Sequence, residues 1–206
     1  MAKSGPMIGR RSVLGAAGLL MAQPVYARAA GAKPRVAIQT GRGTIVVELE
    51  DRKAPKTSKN FLRYVDNDYF KGGDIWRAMK TPGAAEEGTI QGQPRGDLRR
   101  YPPVEHESTE KTGLKHDTGS ISLARYGPGT ATADFFICLG PQPFFDAHPD
   151  EKGDNQGYAV FGFVVEGLDV VRKIHGLPTS GKAAFKELKG QVLTHPVPIL
   201  GVKRST

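Results

Sequence analysis

Arg77, Gln91, Asp134 and the rings of Phe136, Phe144, Phe145 and Tyr158 could do chemistry together, although they lie far apart in the sequence. They sit in short runs: Ile75-Trp76-Arg77-Ala78, Thr89-Ile90-Gln91-Gly92, Ser122-Leu123-Ala124-Arg125, Asp134-Phe135-Phe136-Ile137-Cys138, Phe144-Phe145-Asp146 and Tyr158-Ala159-Val160-Phe161-Gly162. Each run is apolar or alternating and carries two or three polar or aromatic groups. Together they supply two permanent cations, Arg77 and Arg125, one amide, two carboxylates and several rings. A guanidinium stays charged at every relevant pH and presents a rigid fork of donors. Beside an apolar seat, such a fork can hold and polarise an uncharged polar group.

Other chemistries find less support. His106, His116, His148, His175 and His195 are dispersed, with no ligand-like pairing. No Gly-x-Ser-x-Gly elbow offers a hydrolase nucleophile. Cys138 is the single cysteine, which excludes an internal disulfide, and its neighbours Phe136, Ile137 and Leu139 mark it as a core residue. The acidic run Asp150-Glu151-Lys152-Gly153-Asp154-Asn155 lacks the spacing of a twelve-residue calcium loop. Gly41-Arg42-Gly43 lacks the third glycine and following helix of a dinucleotide site. No metal ion or cofactor is expected.

The elements that must position these residues are mostly strands. Arg35–Thr40 alternates, Gly41-Arg42-Gly43 turns, and Thr44–Glu50 returns, which reads as a hairpin. Pro55 begins a helix whose buried stripe holds Phe61, Leu62 and Val65. A second helix is expected over Leu168–His175, ended by Gly176. Further strands are expected at Asp74–Met79, Gly88–Gly92, Gly119–Ala124, Asp134–Leu139, Tyr158–Val164 and Val197–Val202. The sum is a mainly β domain of eight short antiparallel strands and two helices, a set that suits a closed barrel. Stretches 82–87, 94–103 and 141–157 are rich in Pro, Gly and Asp and read as surface loops.

The first twenty-nine residues read differently. Met1–Arg11 is basic without acids, Val13–Ala22 is a short apolar run, and Ala27-Arg28-Ala29 is a small-x-small cleavage site. Arg10-Arg11-Ser12-Val13-Leu14 resembles the twin-arginine export motif, with Val13 where Phe is usual. The rival is a retained anchor, but the apolar run is well short of the ~20 residues a bilayer requires. Residues 1–29 are therefore expected to be a cleaved signal and 30–206 a single domain, periplasmic and with no membrane anchor after cleavage. Removing the leader takes the net charge from +8 to +4. Nucleic-acid binding, which rested on that charge alone, is not expected.

In order and approximate spacing, the six runs resemble the cyclophilin family of peptidyl-prolyl isomerases, from about Arg35 to about Val202. Gly157-Tyr158-Ala159-Val160-Phe161-Gly162 is most similar to the exported bacterial branch. The resemblance implies a closed eight-stranded antiparallel barrel that accelerates rotation about X-Pro bonds in exported proteins. It implies proline-containing polypeptides as partners and substrates, and a monomer is expected. Residue by residue, it implies Arg77 as the catalytic donor and Gln91 as the amide that bonds substrate and steadies it. Phe136 would be the floor of the proline pocket, with Phe135 turned to the core by strand alternation. Phe145 would line the pocket where Leu is usual, and Phe144 would stand where many members have Trp. Ala124 and Arg125 would pair with substrate backbone like an added strand, and Tyr158 would donate where many members have His.

The departures are specific. Thr81–Glu87 is expected to be an inserted loop, and it brings Gly88 and Thr89 to places usually held by a Phe-Met pair. Asp134 stands where a Gln usually bonds substrate and is expected to be able to pair with Arg77. They keep a second reading open, a weakly catalytic or non-catalytic chaperone module that binds proline segments in the same groove.

Overall fold

The protein is described by a computed structural model covering Met1, residues 31–183 and residues 185–205. The expected export signal, apart from Met1, lies outside these residues. The chain divides into units 1–32 and 33–206, and the fold below is that of the second.

Alternation builds the first hairpin. In β1 (Arg35–Thr40), Val36, Ile38 and Thr40 are buried; in β2 (Gly43–Leu49), Ile45, Val47 and Leu49 are. Val36 pairs with Val47 and Ile38 with Ile45, so one face of both strands is apolar. The remaining strands are β3 (Asp74–Thr81), β4 (Ala84–Gln93), β5 (Ser120–Leu123), β6 (Phe135–Leu139), β7 (Ala159–Glu166), β8 (Thr179–Ser180) and β9 (Val192–Ser205). They pair in the order β1-β2-β7-β5-β6-β4-β3-β9, all antiparallel. β9 then pairs back to β1, which closes an eight-stranded barrel with no free edge. β8 is a two-residue addition to β9.

Helix α1 (Pro55–Asp66) starts at proline, as its sequence implies, but Ala54 supplies no side-chain cap. The Glu107 carboxylate caps it from a distance, accepting from the Lys56 and Thr57 backbone N–H groups at 3.2 and 2.8 Å. Its apolar stripe sends Phe61 inward against Phe70, Phe135 and Phe161, with ring centroids 5.0–6.0 Å apart. Burying each such ring contributes roughly 1.5–3 kcal/mol. Helix α3 (Leu168–His175) buries Val170, Val171 and Ile174 across β2, β3, β4 and β6.

Three details differ from the sequence expectation. A third helix, α2 (Thr109–Thr112), makes one turn, capped by Ser108 and ended by Gly113 at φ 68°. β9 runs from Val192, well before Val197; Pro196 and Pro198 interrupt its alternation and hide the strand. The expected inserted loop at 81–87 is instead an extension of the β3–β4 hairpin. The ladder continues to Thr81↔Ala84, and Pro82-Gly83 forms the turn, with Gly83 at φ 81°.

At the base of that extension Gly88 has φ 144°, and a Cβ built there would lie 1.9 Å from the Met79 carbonyl oxygen. Gly88→Ala is expected to cost more than about 2 kcal/mol, read as a lower urea midpoint with unchanged slope.

Candidate functional site

A bulge at Trp76 sets the site. Ile75 pairs with Gly92 and Arg77 with Gln91, so Trp76 is an extra residue in the ladder. The register against β9 also breaks there, from Ile75↔Val197 to Arg77↔Val192, but on that side the extra residues belong to β9. Ile75 and Ala78 both remain in the core, and the two residues between them both face outward. One inserted residue thus turns Trp76 and Arg77 to the same groove.

Arg77, Gln91 and Phe136 form a row. Arg77 is opposite Gln91, and Gln91 is opposite Phe136. At about 4.8 Å per strand, the outer two are ~10 Å apart at their backbones and share one face of the sheet. They line a groove of about 610 Å³, with Trp76, Thr89, Gln93, Arg100, Ala124, Arg125, Asp134, Phe145 and Tyr158 also on its walls.

Arg77 is held by amide oxygens. Its Nη1 donates to Gln91 Oε1 at 2.9 Å, and its Nε and Nη2 donate to Gln191 Oε1 at 2.9 and 2.5 Å. Among the described residues no carboxylate lies within ion-pair distance. Burial pulls the guanidinium below its ordinary pKa, while the Tyr158 phenol opposes the shift; an arginine starts so high that it stays charged. The side chain is therefore oriented without being neutralised, and the rest of its donor fork has no partner among the described residues. Gln91 gives its oxygen to Arg77, and its NH2 group has no partner among the described residues either.

Aromatic rings make the apolar seat. Phe136 packs against Phe145 at 5.0 Å and edge-on to Tyr158 at 5.3 Å. Phe135, next in sequence, points to the core against Phe61 and Phe70, as alternation requires. Behind the seat lies a polar line that sequence spacing does not show. His116 Nδ1 is 2.7 Å from Asp146 Oδ1, and Ser122 Oγ is 2.8 Å from His116 Nε2. Burial pushes His116 below its ordinary pKa, against the pull of Asp146. The neutral ring then donates from Nδ1 to Asp146 and accepts the Ser122 hydroxyl at Nε2. This is the order of an acyl-transfer triad, but Ser122 is fully buried and no substrate carbonyl can reach it. Its effect is to hold the imidazole flat against Phe136, 5.8 Å away at 10°.

The other wall differs from expectation in part. Asp134 does line the groove, but its partner is Arg100 at 3.6 Å, and Arg77 takes the two glutamines instead. Burial raises the Asp134 pKa, with Arg100 opposing. The Arg125 side chain is committed elsewhere: it donates to the Gly157 carbonyl and the Asp154 carboxylate and lies 5.0 Å over the Tyr158 ring. Ala124 also lines the groove, and its N–H is already given to the Asp134 carbonyl at 2.7 Å. Thr89 is in the wall, but Gly88 is not. Phe144 lies outside the groove, 56% exposed and packed on Phe145 at 4.1 Å. Cys138 is a core thiol pushed up to about 12 by burial. Sequence reading missed Gln191, Phe185 and Leu188, which sit beyond the two-residue β8 where no periodic pattern exists.

A closed eight-stranded barrel with an arginine–glutamine–aromatic row on its outer face defines a cyclophilin-like barrel. The family model for cyclophilin type peptidyl-prolyl cis-trans isomerase/CLD matches residues 35–203, and the chain belongs to that family. It is 33% identical over 177 residues to peptidyl-prolyl cis-trans isomerase cyp18 of Streptomyces antibioticus, covering 81% of this chain and 98% of that one. It is 33% identical over 158 residues to peptidyl-prolyl cis-trans isomerase B of Escherichia coli, covering 74% and 91%. A cyclophilin type isomerase of Cryptosporidium parvum, solved also in the presence of the dipeptide Ala-Pro, shares the fold with a TM-score of 0.64 at 22–23% identity, over 84% of this chain and 98–99% of that one.

The buried imidazole generates a pH prediction. The unfolded chain protonates His116 near pH 6.5, but the folded chain does so only at lower pH. Acid therefore favours unfolding. The stability linked to His116 is complete above about pH 6.5 and is lost as pH falls below it, by up to about 1.4 kcal/mol per pH unit. Urea unfolding at pH 7.5 and 5.5 checks this, and His116→Gln is expected to flatten the difference.

Proposed function

We propose that this peptidyl-prolyl cis-trans isomerase acts as a monomer on exported polypeptides, with Arg77 as its catalytic group. The X-Pro bond resists rotation by ~18–20 kcal/mol because resonance gives it double-bond character. Twisting breaks that resonance and leaves a lone pair on the proline nitrogen. A cation aimed at the twisted amide stabilises it more than either planar form, which is how non-covalent catalysis lowers the barrier. The observation that carries this reading is the un-neutralised Arg77, fixed by two glutamine oxygens beside the Phe136 seat.

The other groups divide the remaining work. Phe136, Phe145 and Tyr158 seat the pyrrolidine while the other half of the amide turns. In this reading the Gln91 NH2 group bonds a substrate carbonyl, and the Ala124–Arg125 backbone pairs with substrate through groups other than the Ala124 N–H, which the Asp134 carbonyl holds. Asp134, with its raised pKa, is an acceptor at the far wall. No step requires a cofactor or metal ion. The export assignment rests on Arg10-Arg11, the apolar run and Ala27-Arg28-Ala29, together with the Tyr158 run.

In a protease-coupled assay on an Ala-Pro peptide, Arg77→Ala is expected to lower kcat/KM by about 10²-fold or more. Arg77→Lys should restore little, because one ammonium cannot engage both glutamines and the substrate. No acceleration by the wild type would leave only the chaperone reading. On expression of the full chain in a bacterium with a twin-arginine pathway, a periplasmic product shortened by about 29 residues is expected. Arg10→Lys with Arg11→Lys should leave the precursor inside; export unaffected by that pair would overturn the route.

A further inference from the structure

Segment 185–191 joins the site at two places that the family row does not include. Its first part is apolar and open: Phe185 is 61% exposed and lines the groove, and half-buried Leu188 lines it beside Phe185. Nothing among the described residues covers this aromatic ring. The second part is fixed. Lys186–Leu188 makes a 3₁₀ turn, and the Gln191 N–H donates to the Leu188 carbonyl at 3.0 Å. The Gln191 carbonyl accepts from Ala78 N–H in β3 at 2.8 Å, directly after Arg77. Its side-chain Nε2 donates to the Glu187 carbonyl at 2.8 Å, which turns Oε1 towards Arg77 and settles which end of the amide faces the guanidinium.

The chemistry of that contact is selective. A carboxylate in place of Gln191 would orient Arg77 equally well but cancel its charge. An apolar side chain would leave Nε and Nη2 without an acceptor in a site where burial already strains the cation. An amide does neither, and its position is set by the turn that carries Leu188 and Phe185. The proline seat, Arg77 and the exposed aromatic wall thus line one and the same groove. A polypeptide longer than a dipeptide must leave the groove along one of its walls. The uncovered apolar wall beside Arg77 suits a chain carrying a large apolar side chain near its proline.

We propose that segment 185–191 is a working part of the active site, with Gln191 as the positioning residue for Arg77 and with Phe185 and Leu188 as the contact for an apolar side chain flanking the substrate proline. The proposal rests on the isomerase reading above and goes beyond it. Substrate specificity and arginine placement are then linked through one short turn.

Peptides centred on Ala-Pro, carrying Ala or Phe two positions before or two positions after the proline, test the contact. With the wild type, Phe in one of the two series is expected to raise kcat/KM about five-fold. Phe185→Ser with Leu188→Ser should bring that ratio close to one; both sites are at the surface, so the barrel is expected to survive. A wild-type ratio near one in both series, or the same ratio in the double variant, would overturn the contact. Gln191→Met and Gln191→Glu test the positioning. Each is expected to lower kcat about ten-fold or more on the plain Ala-Pro peptide, with KM within two-fold and a single cooperative melting transition that shows the barrel to be folded. Unchanged kcat in either folded variant would show Gln191 to be merely structural. Wild-type activity on the plain peptide with no effect from any variant refutes this proposal alone; no wild-type activity refutes the isomerase reading and this proposal with it.

Discussion

Arg77 is a largely desolvated cation without a counter-ion among the described residues, and the site is organised around keeping it so. Removing a charge from water is costly unless hydrogen bonds replace the lost hydration. A carboxylate would be the stronger replacement, at about 4 kcal/mol for a contact pair with an effective dielectric of ~20. That same attraction would have to be overcome before the guanidinium could serve a substrate. Amide oxygens from Gln91 and Gln191 lower the cost of burial while leaving the net charge in place. Among the residues lining the groove the one carboxylate is that of Asp134, and it is paired with Arg100.

That arrangement needs Arg77 from β3, Gln91 from β4 and Gln191 from the position just before β9 at fixed separation, and barrel closure supplies it. A strand in an open sheet can twist or slip, but β3 is held between β4 and β9, and β9 is held by β1. The bulge at Trp76 falls where the β3–β9 register is broken as well, so no regular ladder on that side opposes it. Without the bulge, strict alternation from Ile75 would put Trp76 alone on the groove and return Arg77 to the barrel interior. The fold thus contributes one irregularity, and the chemistry depends on it.

Much of this was legible in the residues. Phe135 and Phe136 were assigned to opposite faces by period-two alternation, and they lie there. The first hairpin, α1 and α3 followed from turn glycines, Pro55 and helical spacing. Legibility ended where the determinant was a long-range contact. Asp134 was expected to be able to reach Arg77, but Arg100 arrives from a stretch with no periodicity and takes it. His116 and Asp146 are thirty positions apart and meet only through the loop that carries Phe144 and Phe145. Gln191 follows a two-residue strand and precedes a strand broken by two prolines, so nothing local marked it. Pro82-Gly83 is a visible turn pair, yet Glu86, Glu87 and Gly88 weaken any strand pattern, so the sequence of Thr81–Glu87 does not show the hairpin that the ladder forms.

The Asp146–His116–Ser122 line raises the question of why polar groups lie beneath an apolar seat. Hydrophobic side chains of equal volume would cost less to bury. Apolar packing, however, is satisfied by many ring orientations, whereas a hydrogen-bonded imidazole has one. With Nδ1 fixed by Asp146 and Nε2 by Ser122, the His116 plane is set, and it faces Phe136 almost in parallel. Phe136 therefore rests on a surface whose orientation is dictated by hydrogen bonds. Phe145, edge-on to the same imidazole, is fixed from the same origin. The cation and the rings follow one rule: hydrogen bonds set the cation directly and set the rings through the imidazole they pack on, and in both cases the chemistry of the oriented group is left intact. Amides orient the guanidinium without removing its charge, and a neutral imidazole orients the phenyl rings without wetting the seat.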